Sequence, residues 1–185
     1  VDDRDEGRTR LLDAAERLFY ARGIRAVGMD ELCAESGLSL RRVYGYHPSK
    51  ERLVEAFLER RDRRWRAALA EHVEAVEDPG DRVLAVFGWL ERWFAEPGFR
   101  GCAWINAAGE MGGTSPVVTR LARAHTDAVR AYLGDLAAGA GLTPAAADHL
   151  MLLVEGAMSL AGIRGDPEPA RQAARAARAL LGREA

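Results

Sequence analysis

Apolar residues recur three and four positions apart along almost the whole chain, and that spacing leaves little room for any fold but a helical one. From about Arg8 to Arg22, the residues Leu11, Leu12, Ala15, Leu18 and Phe19 form one stripe of a helix. Gly23 supplies its stop. Alanine and leucine, strong helix formers, dominate the 48% of the 185 residues that are hydrophobic. Valine, isoleucine and threonine, which favour strands, are sparse and scattered, and no convincing alternating stretch appears. The expected fold class is all-α, with about nine helices.

Punctuation residues divide the chain further. A short helix fits Met29 to Glu35 and ends at Gly37; Ser39 caps another, Leu40 to Tyr46, which Pro48 closes. Ser49 caps a long helix from Lys50 to about Val76, and Asp78 to Asp81 is a turn. Later helices are expected over Asp81 to Ala95, Ala103 to Ala108, Pro116 to Ala138, Thr143 to Ile163 and Pro167 to Leu181. Val1 to Glu6, acidic and polar, reads as a frayed tail.

Composition then removes whole classes. Lys and Arg number 26 against 28 Asp and Glu, a formal net charge of -2, so a wholly basic nucleic-acid coat is excluded while a local basic face is not. Cys33 and Cys102 cannot build a disulfide framework. No signal peptide and no apolar run of membrane-spanning length is evident, so a soluble cytoplasmic protein is expected. His47, His72, His125 and His149 lack metal-ligand spacing. With no phosphate-cradling loop, nucleophile motif or carboxylate pair, neither cofactor nor enzymatic activity is expected.

The charge that does concentrate is placed where it can act. Two short helices joined by Ser36-Gly37-Leu38-Ser39 make a helix-turn-helix, whose second helix can enter a DNA major groove. On a wheel of about 100° per residue, Val43 faces the core. Arg41 and Gly45 then lie opposite, flanked by Arg42 and Tyr44. No acid lies between Ser39 and Lys50, the only lysine in the chain. From Ser36 to Arg66 nine basic residues meet four acids, although the later cluster, Arg60 to Arg66, reads as a solvated face paired with its own glutamates.

The runs TRLLDAAERLFYARG (Thr9 to Gly23) and GMDELCAESGLSLRRVYGYHPSKERLVEAF (Gly28 to Phe57) resemble the DNA-binding domain of the TetR family of bacterial transcriptional regulators. The resemblance covers about a third of the chain. It implies a helix-turn-helix domain over residues 1–50 and an effector-binding and dimerisation domain over 51–185. It also implies a homodimer, a palindromic double-stranded operator and a small-molecule effector. Carried across by position, Gly28, Ser39, Leu40, Arg41, Arg42, Tyr44, Gly45, Tyr46 and Lys50 are the expected DNA-binding residues. Three positions depart from the family pattern. His47 stands where an aromatic residue packs, Gly28 replaces a common Thr, and Arg41 replaces a frequently small residue.

In the second domain, apolar segments carry a few polar or aromatic groups that suit a ligand pocket. Those expected to line it are Phe87, Trp93, Trp104, Asn106, Glu110, His125, Tyr132 and Glu155. Two stripes suggest the subunit interface: Leu150, Leu153, Val154, Ala157, Met158 and Ala161, then Ala174, Ala177 and Leu181. The reading is a ligand-responsive, DNA-binding transcriptional regulator, a repressor that releases its operator on binding a small molecule. The alternative, favoured by His47 and Gly28, is a helical small-molecule- or partner-binding protein that no longer uses DNA.

Overall fold

A computed structural model describes residues 3–183 of the chain. Nine α-helices occur among the described residues, with no strand. Their order is α1 (Asp3–Arg22), α2 (Met29–Ser36), α3 (Leu40–Tyr46), α4 (Lys50–Glu74), α5 (Pro79–Phe94), α6 (Ala103–Met111), α7 (Pro116–Gly139), α8 (Ala145–Arg164) and α9 (Glu168–Leu180). α3 has the expected bounds. α1 is longer than expected, because Asp3 to Glu6 continue the helix; Val1 and Asp2 lie outside the described residues.

The helices form two compact units. One runs from the N-terminus to Arg63 and adds Ala103–Arg123; the other holds Arg64–Cys102 and Ala124 to the C-terminus. Neither border falls at residue 50: the first lies inside α4, at Arg63, and α6 belongs with the N-terminal helices.

In the first unit, Leu11, Phe19, Leu32, Val43, Leu53 and Phe57 are buried, and the rings of Phe19 and Phe57 meet edge to face at 5.6 Å. Gly37 ends α2 in the left-handed conformation, φ 67°, and its N–H donates to the Cys33 carbonyl. Ser39 starts α3 by accepting the Arg42 N–H at 3.4 Å, and Ser49 accepts the Arg52 N–H at 3.2 Å to start α4. Arg60 and Arg61 are not a solvated face. Their side chains are 11% and 12% exposed and reach across to α1, Arg60 to Asp13 at 2.9 Å and Glu16 at 2.8 Å, Arg61 to Glu16 at 3.1 Å. The Arg61 guanidinium also lies 3.9 Å from the centre of the Tyr20 ring.

In the second unit, α5 begins at an Asp78 cap, whose carboxylate accepts the Asp81 N–H at 2.8 Å, with Pro79 at the first turn. α9 packs against both α5 and α8. By length and composition α8 could cross a membrane, which the sequence reading did not anticipate; 44% of that stretch is buried inside the protein. Buried residues on α8 include Leu150, Val154, Ala157, Met158 and Ala161, and on α9 Ala177. These six were expected at a subunit interface and instead form the unit's own core, while Leu153, Ala174 and Leu181 are half-buried. The stripe that stays outside is Leu152, 73% exposed, and Ile163, 82% exposed, with Gly156, Ser159 and Leu160 between them.

Candidate nucleic-acid interface

Helix α3 is held by one fully buried side chain, Val43, with Leu38 buried just before it. Everything at about 180° from Val43 must therefore face out. Leu40 is 44% exposed and Tyr44 43%, and Arg41, Arg42 and Gly45 are exposed beside them. A Cβ placed at Gly45 would meet nothing within 4 Å, so the backbone there is open to close approach by another surface. Arg41 makes no side-chain hydrogen bond or ion pair among the described residues. Arg42 donates to the Tyr46 hydroxyl at 3.2 Å, which leans Tyr46 along the helix in a half-buried position.

Gly28 caps α2, and its exposed N–H donates to Glu31 at 3.1 Å. That bond, ahead of the neighbouring Arg22, holds the Glu31 carboxyl below its usual range. Gly28 is thus a capping position with an acid beside it. Lys50 is also committed. Its ammonium donates to the Val27 carbonyl at 2.6 Å, tying the start of α4 to the turn before α2. Burial lowers its pKa, opposed by the nearby charges of Glu110 and Glu31. One of the three N–H donors of Lys50 is thus taken by a structural bond.

Two cations that the sequence reading missed border α3. The first described turns of α1 lie against it, so closely that a side chain on Gly7 would collide with the Tyr46 hydroxyl. Arg8 and Arg10 are exposed on this segment. The Arg10 guanidinium comes within 4.0 Å of where a Gly37 side chain would start, and the Arg8 charge acts on His47. The signal available in the sequence was two arginines ahead of the first apolar stripe, but only the packing of α1 on α3 makes it one patch. His47 occupies the core position expected of an aromatic residue. It is 5% exposed, its Nε2 has no partner, and burial, then Arg8, lowers its pKa.

The residues expected to line a ligand pocket are divided between the two units. Trp104, Asn106 and Glu110 lie on α6 in the first unit. Trp104 is buried, Asn106 exposed, and Glu110 is turned toward the helix-turn-helix unit: its carboxylate accepts the Arg25 N–H at 2.9 Å and covers Gly23. Glu110 is thus a brace for the turn between α1 and α2. In the second unit Trp93 meets Trp65 at 5.7 Å, and Trp65 meets Trp89 at 5.1 Å and His125 at 5.4 Å. Phe87 does not join them; it lies about 120° around α5 from Trp93. On α7 and α8, the Tyr132 hydroxyl and the Glu155 Oε2 are buried without a hydrogen-bond partner. Burial raises both pKa values, with Glu74 adding to the effect at Tyr132.

Comparison with known proteins places this arrangement. The family model of bacterial regulatory proteins of the tetR family matches residues 11–57, the span from α1 into α4. The crystal structure of SCO4454, a TetR-family transcriptional regulator from Streptomyces coelicolor, superimposes with a TM-score of 0.89 at 32% identity, over 96% of this chain and 95% of that one. An uncharacterized HTH-type transcriptional regulator of Mycobacterium tuberculosis, MT1294, is 32% identical over 126 residues, 65% of this chain; the match spans 61% of that relative's length. The transcriptional activator FasR of Mycolicibacterium smegmatis is 44% identical over 57 residues, 31% of this chain and 26% of its own. With its outward-facing α3 and a likeness to SCO4454 along nearly the full length of both, the chain belongs to the TetR family of bacterial regulatory proteins.

Proposed function

We propose that this chain is a DNA-binding transcriptional regulator that acts as a homodimer and releases its operator when a small molecule binds its second unit. The observation that carries the reading is the outer face of α3, where Leu40, Arg41, Tyr44 and Gly45 stand exposed and Arg41 makes no side-chain hydrogen bond or ion pair among the described residues. A helix of that size and charge fits a major groove. Arg42, Arg8 and Arg10 border it and are suited to phosphate. Lys50 and Gly28 are not part of the contact surface in this reading.

The dimer would form through the exposed stripe of α8. Leu152 and Ile163 supply apolar area, and Gly156 and Ser159 let a second copy of the helix approach closely. Two α3 helices would then meet successive major grooves of a palindromic site. The Trp65–Trp89–Trp93–His125 cluster, with unpaired polar atoms on Tyr132 and Glu155 in the same unit, supports an effector site there. Release follows if the effector prefers a subunit arrangement that does not match the half-site spacing. FasR is named an activator, and its match here is confined to 57 residues, so it bears on DNA binding rather than on the direction of control.

A gel shift separates this reading from a helical binding protein that has lost DNA. The duplex is the region upstream of the protein's own gene, with a scrambled duplex as control. The regulator binds the first more tightly, and its affinity falls steeply with salt, log K changing by roughly -0.9 per phosphate neutralised against log salt. Equal, weak binding to both duplexes would remove the assignment.

A further inference from the structure

The second unit carries a groove that the regulator reading leaves unused. It opens between α5 and α9, with a volume of about 370 Å³, within the range of small-ligand sites. Its floor is apolar, built on Phe87, Leu84 and Ala174. Gly88 cuts the α5 wall away: a Cβ there would meet nothing within 4 Å. The groove lies on a different face of α5 from Trp89 and Trp93, which are about 160° and 120° around the helix from Phe87.

The α9 rim is cationic, because Arg171, Arg175 and Arg178 fall within about 60° of one another on the helix. Two of these cations are occupied. Arg171 bonds Glu91 at 2.7 Å and Glu168 at 2.6 Å, and Arg175 reaches Glu168 at 3.3 Å. Arg178 is half-buried and makes no side-chain hydrogen bond or ion pair among the described residues. Three guanidiniums against two carboxylates leave one positive charge, and it sits on Arg178 beside an apolar trough. A guanidinium in that setting suits a carboxylate, which it can hold through two parallel hydrogen bonds.

We propose that the α5–α9 groove binds a small carboxylate with an apolar body, the acid group on Arg178 and the body over Phe87 and Gly88. The site is separate from the aromatic cluster assigned to the effector and does not depend on DNA binding. Calorimetric titration of the full chain with octanoate, 1-octanol and octylammonium tests it. Octanoate binds, and the alcohol and the amine bind about tenfold more weakly or worse, since neither can take the charge-assisted pair. Arg178→Gln weakens octanoate about tenfold while leaving the weak octanol signal unchanged. Gly88→Leu abolishes octanoate binding by filling the trough, and because it replaces a helical glycine it does not weaken α5. No heat from octanoate at millimolar concentration, equal binding of octanoate and octanol, or octanoate binding indifferent to both variants overturns the proposal. Gel shifts of the same two variants keep it apart from the regulator reading, because both retain the wild-type affinity for DNA.

Discussion

Two residues on or beside α3 show how position sets the role of a polar side chain. Arg41 is exposed and unpaired among the described residues, so its guanidinium is available to a guanine edge, where two hydrogen bonds to O6 and N7 give about 1–3 kcal/mol of discrimination. Arg41→Ala is expected to weaken the cognate duplex by that amount in a gel shift and to leave scrambled DNA nearly unaffected; equal losses would make it a phosphate contact. His47 is the opposite case, buried with Nε2 unpaired. Its pKa is lowered in the folded protein from 6.5, so the unfolded chain takes up a proton first as pH falls. Stability is therefore lost as pH drops through 6.5 toward the lower folded value. His47→Phe should raise stability by about 1–2 kcal/mol by removing an unsatisfied buried group. In denaturant unfolding at neutral and mildly acidic pH, it should also remove the part of the acid sensitivity due to His47.

At the scale of elements, α6 changes meaning once its partners are known. Glu110 holds the turn between α1 and α2 through the Arg25 N–H, and its charge helps keep Lys50 protonated where Lys50 bonds Val27. Close by, Ser115 donates to Glu51, and Arg120 bonds Glu55 at 3.0 Å, so the segment from α6 to the start of α7 is fastened to the first turns of α4 by several ties. Glu110→Ala removes an acceptor and hands the exposed Arg25 N–H to water, a loss of about 0.5–1.5 kcal/mol. Glu110→Gln keeps the acceptor and should recover most of it. Hydrogen exchange at the Arg25 amide reads the difference directly, rising in the alanine variant and staying low in the glutamine one. Equal protection in all three proteins would show that Glu110 is not the brace.

For the whole molecule, the decisive surface is the one α8 leaves uncovered. Two large apolar residues more than 70% exposed on one stripe are costly for an isolated subunit and useful to a pair. Leu152→Glu with Ile163→Glu is expected to give a folded monomer, because neither side chain belongs to the core. Sedimentation at micromolar concentration should show the change. Operator affinity should collapse with it, since two linked recognition helices bind far more tightly than either alone. A double variant that stays dimeric would move the interface to another face.

The helical fold and the outward face of α3 could be read from residue order because both are local properties. Spacing of three and four, Gly37 and Ser39 as caps, and Val43 as the one inward residue of α3 concern neighbours within a turn or two of helix. What could not be read concerns residues far apart in the chain. Lys50 reads as a phosphate ligand, yet one of its donors goes to the Val27 carbonyl 2.6 Å away; Arg60 reads as solvated, yet Glu16 reaches it from α1. The α8 stripe of Leu150, Val154 and Ala157 looked external because periodicity names an apolar face without naming what covers it. Residue order determined which helices form and which of their faces are apolar or charged. Tertiary packing alone decided which of those faces stay open to a partner, because burial and pairing depend on the other helices that each one meets.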